Sequence, residues 1–226
     1  ALDVAGVRVI IGHAAAPLER AGASWRSGDH EADAVIVATP ARAAAHLVRA
    51  AAPAVAAELA ALEAVSVTMV TLAFDAAQVP PPGGSGYLVP RAAQRTITAC
   101  SWASTKWAHW HRPGQVLVRV SVGRSGAEAA ADLDDDELLD GVLADLSMQA
   151  GVRADPTEVR ITRWPASMPQ YPPGHLDRMT ALDRQLADAA PGVVLAGAAY
   201  RGIGIPACIR SAHHAAAACR RASARN

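Results

Sequence analysis

The residues best placed to do chemistry lie near the end of the chain, in the run Leu195-Ala196-Gly197-Ala198-Ala199-Tyr200-Arg201-Gly202-Ile203-Gly204-Ile205-Pro206-Ala207-Cys208-Ile209-Arg210-Ser211-Ala212. Gly197, Gly202 and Gly204 permit positive φ or a close approach of backbone to a ligand. Pro206 suits the first turn of a helix, where its missing N–H costs nothing. A helix from about Ala207 leaves N–H groups free at its start, and these attract phosphates and other electron-rich atoms. Its Ala212, Ala215 and Ala216 recur at helical spacing and let a backbone or flat ligand lie close. The pattern suits a ligand held against a glycine turn, and it equally suits a tight strand-to-helix connection with no ligand.

Other candidate chemistry is weaker. Trp102, Trp107 and Trp110 interleave with Lys106, His109 and His111, a mixture able to stack nucleotides or to begin a metal site. No third ligand is spaced nearby, so tryptophans packed at a sheet edge are the better account and no metal is expected. Asp134, Asp135, Asp136 and Glu137 crowd the start of an amphipathic run, where they match the positive end of a helix dipole rather than a cation. Cys100, Cys208 and Cys219 are odd in number and far apart, which supports neither disulfides nor zinc and fits a reducing cytoplasm. Lys plus Arg equals Asp plus Glu at 21 each, against an electrostatic nucleic-acid binder. Hydrophobic residues at 51% supply a sizeable core, and no uncharged apolar run is long enough to span a membrane.

The elements that must position the turn follow in order. Val4, Val7, Val9, Ile10 and Ile11 predict a strand, and Leu18 to Trp25 a hairpin around Ala21-Gly22. Ala34 to Ala38 is a buried strand stopped by Thr39-Pro40. Ala41 to Ala64 is alanine-rich and helical, divided by Pro53, with Leu47, Val48, Val55, Leu59 and Leu62 on its apolar side. At Val65 the period changes to two and a long strand runs to Phe74, beginning a second sheet. Residues 79–86 form a Pro- and Gly-rich loop. Strands follow at Tyr87–Pro90, Thr96–Ser101 and Val116–Val122, a helix over Asp132–Ala150, and a strand over Pro156–Arg163. His175 caps a helix whose Leu176, Met179, Leu182 and Leu186 face a core, and Val193–Ala196 is the strand before the glycine turn. The basic tail after Cys219 should fray.

Three stretches carry a resemblance. GAAYRGIGIPACIRSA resembles the C-terminal flavin-contacting segment of the protoporphyrinogen and coproporphyrinogen oxidases, within the flavin amine oxidase superfamily. RWPASMPQYPPGH resembles their crossover from substrate domain to flavin domain, and GSGYLVP followed by SWASTKW resembles their substrate-domain sheet, part of the wall over the flavin. ADAVIVATP resembles the returning strand of the family's FAD domain.

The resemblance implies a mixed α/β fold: a partial FAD/NAD(P)-binding Rossmann-like domain, residues 1–64 and 164–226, with an antiparallel-sheet substrate domain, residues 65–163, inserted. Carried over by position, Ala15, Trp164, Ile203, Gly204 and Ile205 are the FAD contacts. The implied activity is oxygen-dependent oxidation of a porphyrinogen in haem biosynthesis, coproporphyrinogen III to coproporphyrin III, with hydrogen peroxide as the other product and no side chain assigned as catalytic acid or base. Other readings are an amine oxidase or carotenoid desaturase of the same superfamily, and a non-enzymatic module for a hydrophobic ligand. The MPQYPPGH crossover favours the porphyrinogen branch. The family's G-x-G-x-x-G fingerprint is absent from these residues, so the chain reads as a C-terminal fragment that alone should hold FAD poorly.

Overall fold

The computed structural model describes residues 6–80, 83–126 and 132–223, leaving Val4, Pro81, Pro82 and Ala224 to Asn226 outside the described residues. It divides into two compact units, one of Ala1–Leu62 with Tyr171–Asn226 and one of Glu63–Gln170.

The first unit opens with an antiparallel meander of β1 (Glu19–Ala21), β2 (Ser24–Ser27) and β3 (His30–Ala32). β4 (Val35–Val37) stops before Thr39-Pro40, and α1 (Ala41–Val48) follows at once. Its buried Ala41, Ala44, Ala45 and Val48 repeat at three and four residues, which is why alanine is so frequent: small side chains let the helix lie close to its neighbours. Pro53 begins α2 (Pro53–Ala60) at a position where its missing N–H is harmless.

The second unit is one antiparallel sheet and a helix. β5 (Ala64–Asp75), β6 (Gly86–Leu88), β7 (Ile97–Trp102) and β8 (Gln115–Val122) are joined by β9 (Glu158–Pro169) in the order β6-β7-β8-β5-β9. α3 (Ala103–Lys106) follows β7, and α4 (Asp135–Ala150) covers one face of the sheet. That face carries the buried Val70, Leu72, Phe74, Val118, Val120 and Val122 against Leu138, Val142 and Leu146 of α4. The Asp134 side chain caps α4 by accepting the Glu137 N–H at 2.9 Å, and Gly151 ends it in the left-handed conformation. Buried Asp145 accepts the Ile97 N–H at 3.0 Å, so a carboxylate pins β7 to α4.

The chain then returns to the first unit with α5 (His175–Ala189), β10 (Val193–Leu195), α6 (Ala198–Arg201) and α7 (Ile205–Ser223). β10 pairs parallel with β4, the strand pair of a Rossmann-like layer flanked by helices. Met179, Leu182 and Leu186 of α5 pack with Val48, Val55, Leu59 and Val37 in this unit's core.

Four expectations change. Val7 to Ile11 form no strand and their side chains are exposed, because β-propensity makes a strand only where a partner supplies the ladder. β9 continues past Arg163 to Pro169, so RWPASMP is sheet and only Gln170 to Gly174 cross over. The glycine turn contains the one-turn helix α6, and α7 begins at Ile205 and persists through Arg220 and Arg221. The His175 side chain does not cap α5: Gly174 occupies the cap position without a side-chain bond, and the imidazole turns inward.

Candidate functional site

The turn between β10 and α7 is built from three glycines and held from one side. Gly197 and Gly202 adopt φ of 127° and 128°, closed to L side chains, and a Cβ on Gly202 would stand 2.7 Å from that of Ala207. A Cβ on Gly197 would meet nothing within 4 Å, so the backbone there faces open space. The Gly197 N–H donates to Ser211 Oγ of α7 at 3.1 Å, and Gly204 O accepts from Ala207 and Cys208, closing the first turn of that helix.

Tyr171 and His175 clamp this turn. The Tyr171 hydroxyl donates to Ala198 O at 2.6 Å and accepts the Gly202 N–H at 2.7 Å, bracketing α6. Its ring stacks on buried His175, centroids 3.9 Å apart, and His175 Nε2 lies 2.9 Å from Tyr200 O. A carbonyl only accepts, so the proton is on Nε2. Burial raises the pKa of Tyr171 and of Tyr200, keeping both phenols protonated; the Tyr171 hydroxyl thereby stays a donor to Ala198 O, while the buried Tyr200 hydroxyl has no partner among the described residues. Arg201, a long cation in a compact turn, is directed outward to Asp183 at 2.6 Å.

What the clamp presents is apolar and bare. Ile203 and Ile205 are 51% and 78% exposed, and Ile209, one turn further along α7, is exposed too. The first turn of α7 contains no acidic side chain, and Ile205 starts the helix, so its N–H has no acceptor within the helix. An uncovered aliphatic surface beside a positive helix end suits a flat, electron-rich ring edge.

The second candidate surface is the face of the sheet that α4 leaves open. Directly paired residues share a face, so Val67, Met69 and Thr71 of β5 line up with Trp164, Thr162 and Arg160 of β9. Met69 and Thr71 continue across to Ser121 and Arg119 of β8, then to Ala99 and Ser101 of β7 and Leu88 and Gly86 of β6. Trp164 therefore stands on the open face, its side chain 55% exposed. It is aimed by an irregularity: the β5–β9 register shifts between Val65 and Val67, where Ala166 takes φ of 43° and donates its N–H to Ser66 Oγ at 3.0 Å. A cavity of about 470 Å³ opens on the same face, among Met69, Leu88, Lys106, Trp107 and Arg119.

Of the residues expected to contact a cofactor, Ile203, Gly204 and Ile205 lie together in the turn, and Trp164 lies in the other unit. Ala15 is exposed, irregular chain ahead of β1, anchored one residue on where the Ser27 hydroxyl donates to Ala16 O at 2.7 Å. Gln170 fixes the crossover through its backbone N–H, donated to Glu63 O at 2.9 Å. Trp102 is buried in the sheet core, while Trp107, His109 and Trp110 form a run of ring contacts beyond α3. Among the described residues no group of three or more His, Cys, Asp or Glu is placed to hold a metal, and no helix is long and apolar enough to cross a membrane. Sequence reasoning passed over Arg119, a charge among valines on β8 that marks the strand's second face as open.

The glycine turn with its bare helix start, the Rossmann-like parallel pair and the inserted antiparallel sheet form a mixed α/β fold of the kind that flavin containing amine oxidoreductases share. The chain belongs to the flavin containing amine oxidoreductase family, whose family model matches residues 17–220. It is 39% identical over 180 residues to the coproporphyrinogen III oxidase of Bacillus subtilis (strain 168), covering 79% of this chain and 38% of that protein. Identity to the coproporphyrinogen III oxidase of Propionibacterium freudenreichii subsp. freudenreichii is 35% over 221 residues, 95% of this chain and 41% of the relative. Among solved structures, a putative protoporphyrinogen oxidase from Exiguobacterium sp. 255-15 superposes with a TM-score of 0.77 at 31% identity, over 93% of this chain and 45% of that one. The chain thus spans about two fifths of the length of the curated relatives it matches.

Proposed function

We propose that this chain is the part of an FAD-dependent, oxygen-using porphyrinogen oxidase of the cytoplasm that supplies the flavin-contacting turn, the substrate sheet and the crossover, with coproporphyrinogen III as substrate and coproporphyrin III as product. The observation that carries the reading is the bare Ile203-Gly204-Ile205 turn at the acid-free start of α7, in the stretch where the sequence is similar to the flavin-contacting segment of porphyrinogen oxidases. The names of the relatives support the substrate.

The residues present fit a flavin. Ile203 and Ile205 offer apolar surface, the open space at Gly197 admits a ring close to the backbone, and the exposed indole of Trp164 can stack or donate one hydrogen bond. In this reading Ile203, Gly204, Ile205, Trp164 and the backbone of Ala15 hold FAD; residues 1–64 and 164–226 serve the cofactor and 65–163 the substrate. A flavin held there would supply two-electron acceptance, with oxygen restoring it and hydrogen peroxide as the reduced product, so removing six electrons and six hydrogens from a porphyrinogen would take three rounds.

The chain's own residues position and exclude. Tyr171 and His175 fix α6, so that the isoleucines project outward without the turn relaxing between rounds. Asp183 keeps the Arg201 cation off the apolar surface. The aliphatic and indole surfaces exclude water from whatever ring they cover.

The test supplies coproporphyrinogen III, prepared anaerobically, to this chain joined to the portion of the Bacillus subtilis enzyme outside the matched segment, then admits oxygen. Appearance of coproporphyrin fluorescence above the uncatalysed rate, with one hydrogen peroxide per flavin round, is expected. Turnover of an amine instead, with none of the porphyrinogen, would replace this reading with the amine oxidase one.

A further inference from the structure

The cavity on the open face of the sheet is cationic without a counter-charge. Lys106 is exposed at the end of α3 and Arg119 is half-buried in the middle of β8. Neither belongs to any ion pair among the described residues, and no acidic side chain lines the cavity. Both are positioned rather than loose. Ser104 Oγ accepts the Leu117 N–H at 3.0 Å, tying α3 to β8 two residues from Arg119. Lys106 Nζ sits 5.5 Å from the Trp107 ring centroid and Arg119 Cζ 5.5 Å from that of Trp110. Trp107, His109 and Trp110 link the two cations through ring contacts at 6.2 and 5.9 Å.

The rest of the lining is apolar: Leu88 is 82% exposed, Met69 and Ala99 form the floor, and the cavity of about 470 Å³ is within the usual range for small-molecule sites. Uncovered aliphatic surface, an indole and two unpaired cations together call for a flat apolar ligand that carries carboxylates at its edge. A nucleic acid is disfavoured by the overall charge balance and by a single short aromatic run.

We propose that Lys106 and Arg119 seat carboxylate side chains of the porphyrinogen and set a preference for a tetracarboxylate macrocycle over a dicarboxylate one. This rests on the oxidase reading above and adds to it the residues that choose among porphyrinogens. A tetracarboxylate presents carboxylates around its whole edge, so some reach the pair in every orientation, whereas a dicarboxylate has them on one side only.

The experiment titrates coproporphyrin III, with four carboxylates, and deuteroporphyrin IX, with two, into this chain, read by porphyrin fluorescence at low and high salt. The variants are Lys106→Gln, Arg119→Gln, their double, and the charge-keeping double Lys106→Arg with Arg119→Lys, each checked for native circular dichroism. The charge-removing double should weaken coproporphyrin III binding roughly tenfold or more and flatten its salt dependence. Deuteroporphyrin IX should change less, and the charge-keeping double should stay within about threefold of the unsubstituted chain. If the double fails to fold, the single substitutions decide by the same comparison. Coproporphyrin III that does not bind the unsubstituted chain, or binds the charge-removing variants as tightly, overturns the cationic seat. The oxidase reading stands or falls separately, on porphyrin formation by the joined enzyme.

Discussion

Tyr171 ties a turn with one hydroxyl used twice, as donor to Ala198 O and acceptor from Gly202 N–H. Tyr171→Phe keeps the ring on His175 and leaves both backbone groups without that partner. A loss of about 1–2 kcal/mol in unfolding free energy, with faster exchange of the Gly202 amide, is the expected result by denaturant titration and hydrogen exchange. Ala166 is the opposite case, a non-glycine residue at φ of 43° where the Cβ works against the backbone. Ala166→Gly should raise stability by about 0.5–1 kcal/mol, because relief of left-handed strain outweighs the greater freedom of the unfolded glycine. A fall in the denaturation midpoint would show that the Ala166 methyl makes contacts that matter more. Cys100, buried under the sheet, has its thiol pKa pushed up to about 11 by desolvation. Folding therefore favours the neutral thiol. Its stabilising contribution is whole below the unfolded thiol's pKa near 9 and is lost as pH rises through 11. Cys100→Ala should remove that part of the alkaline decline, measured as unfolding free energy between pH 8 and 11.

At the scale of elements, the glycine turn stores a conformation that only glycine accepts. Gly202→Ala adds a Cβ 2.7 Å from that of Ala207 at φ of 128°, and should cost about 1–3 kcal/mol while displacing the start of α7. If crystallography of that variant showed Ile203 and Ile205 unmoved, the clamp would be stronger than argued. The sheet was legible because β5 alternates between the open face and the α4 face from Val67 to Leu72, and Pro53 divides the alanine-rich run where α2 begins; α4 starts at Asp135 behind the Asp134 cap, three residues after the start expected at Asp132. The failures have physical reasons. Val7 to Ile11 have strand-forming side chains but no partner ladder, which local sequence does not contain. α6 is four residues between two glycines, too short for a periodic signal. His175 stands where a capping residue would, yet a left-handed Gly174 turns the chain so that the imidazole meets Tyr200 O instead. The bareness of Ile203 and Ile205 was invisible because apolar residues in sequence read as core.

At the scale of the whole molecule, the two units are sequence-interleaved: the sheet unit is inserted between the halves of the other. The parallel layer consists of only β4 and β10 among the described residues, with strand edges open to further pairing. The residues proposed to contact the cofactor are distributed over both units, and the relatives extend well beyond the matched stretch. The account's central claim is that this chain provides half of a flavin site. It is tested most directly by joining the chain to the unmatched portion of the Bacillus subtilis relative and measuring the flavin absorbance that co-elutes with the protein on gel filtration. FAD retained at close to one per chain, and largely lost in a folded Ile205→Asp variant, is the predicted result. A folded joined protein that elutes without flavin, or holds it as well with Asp at 205, would contradict the account.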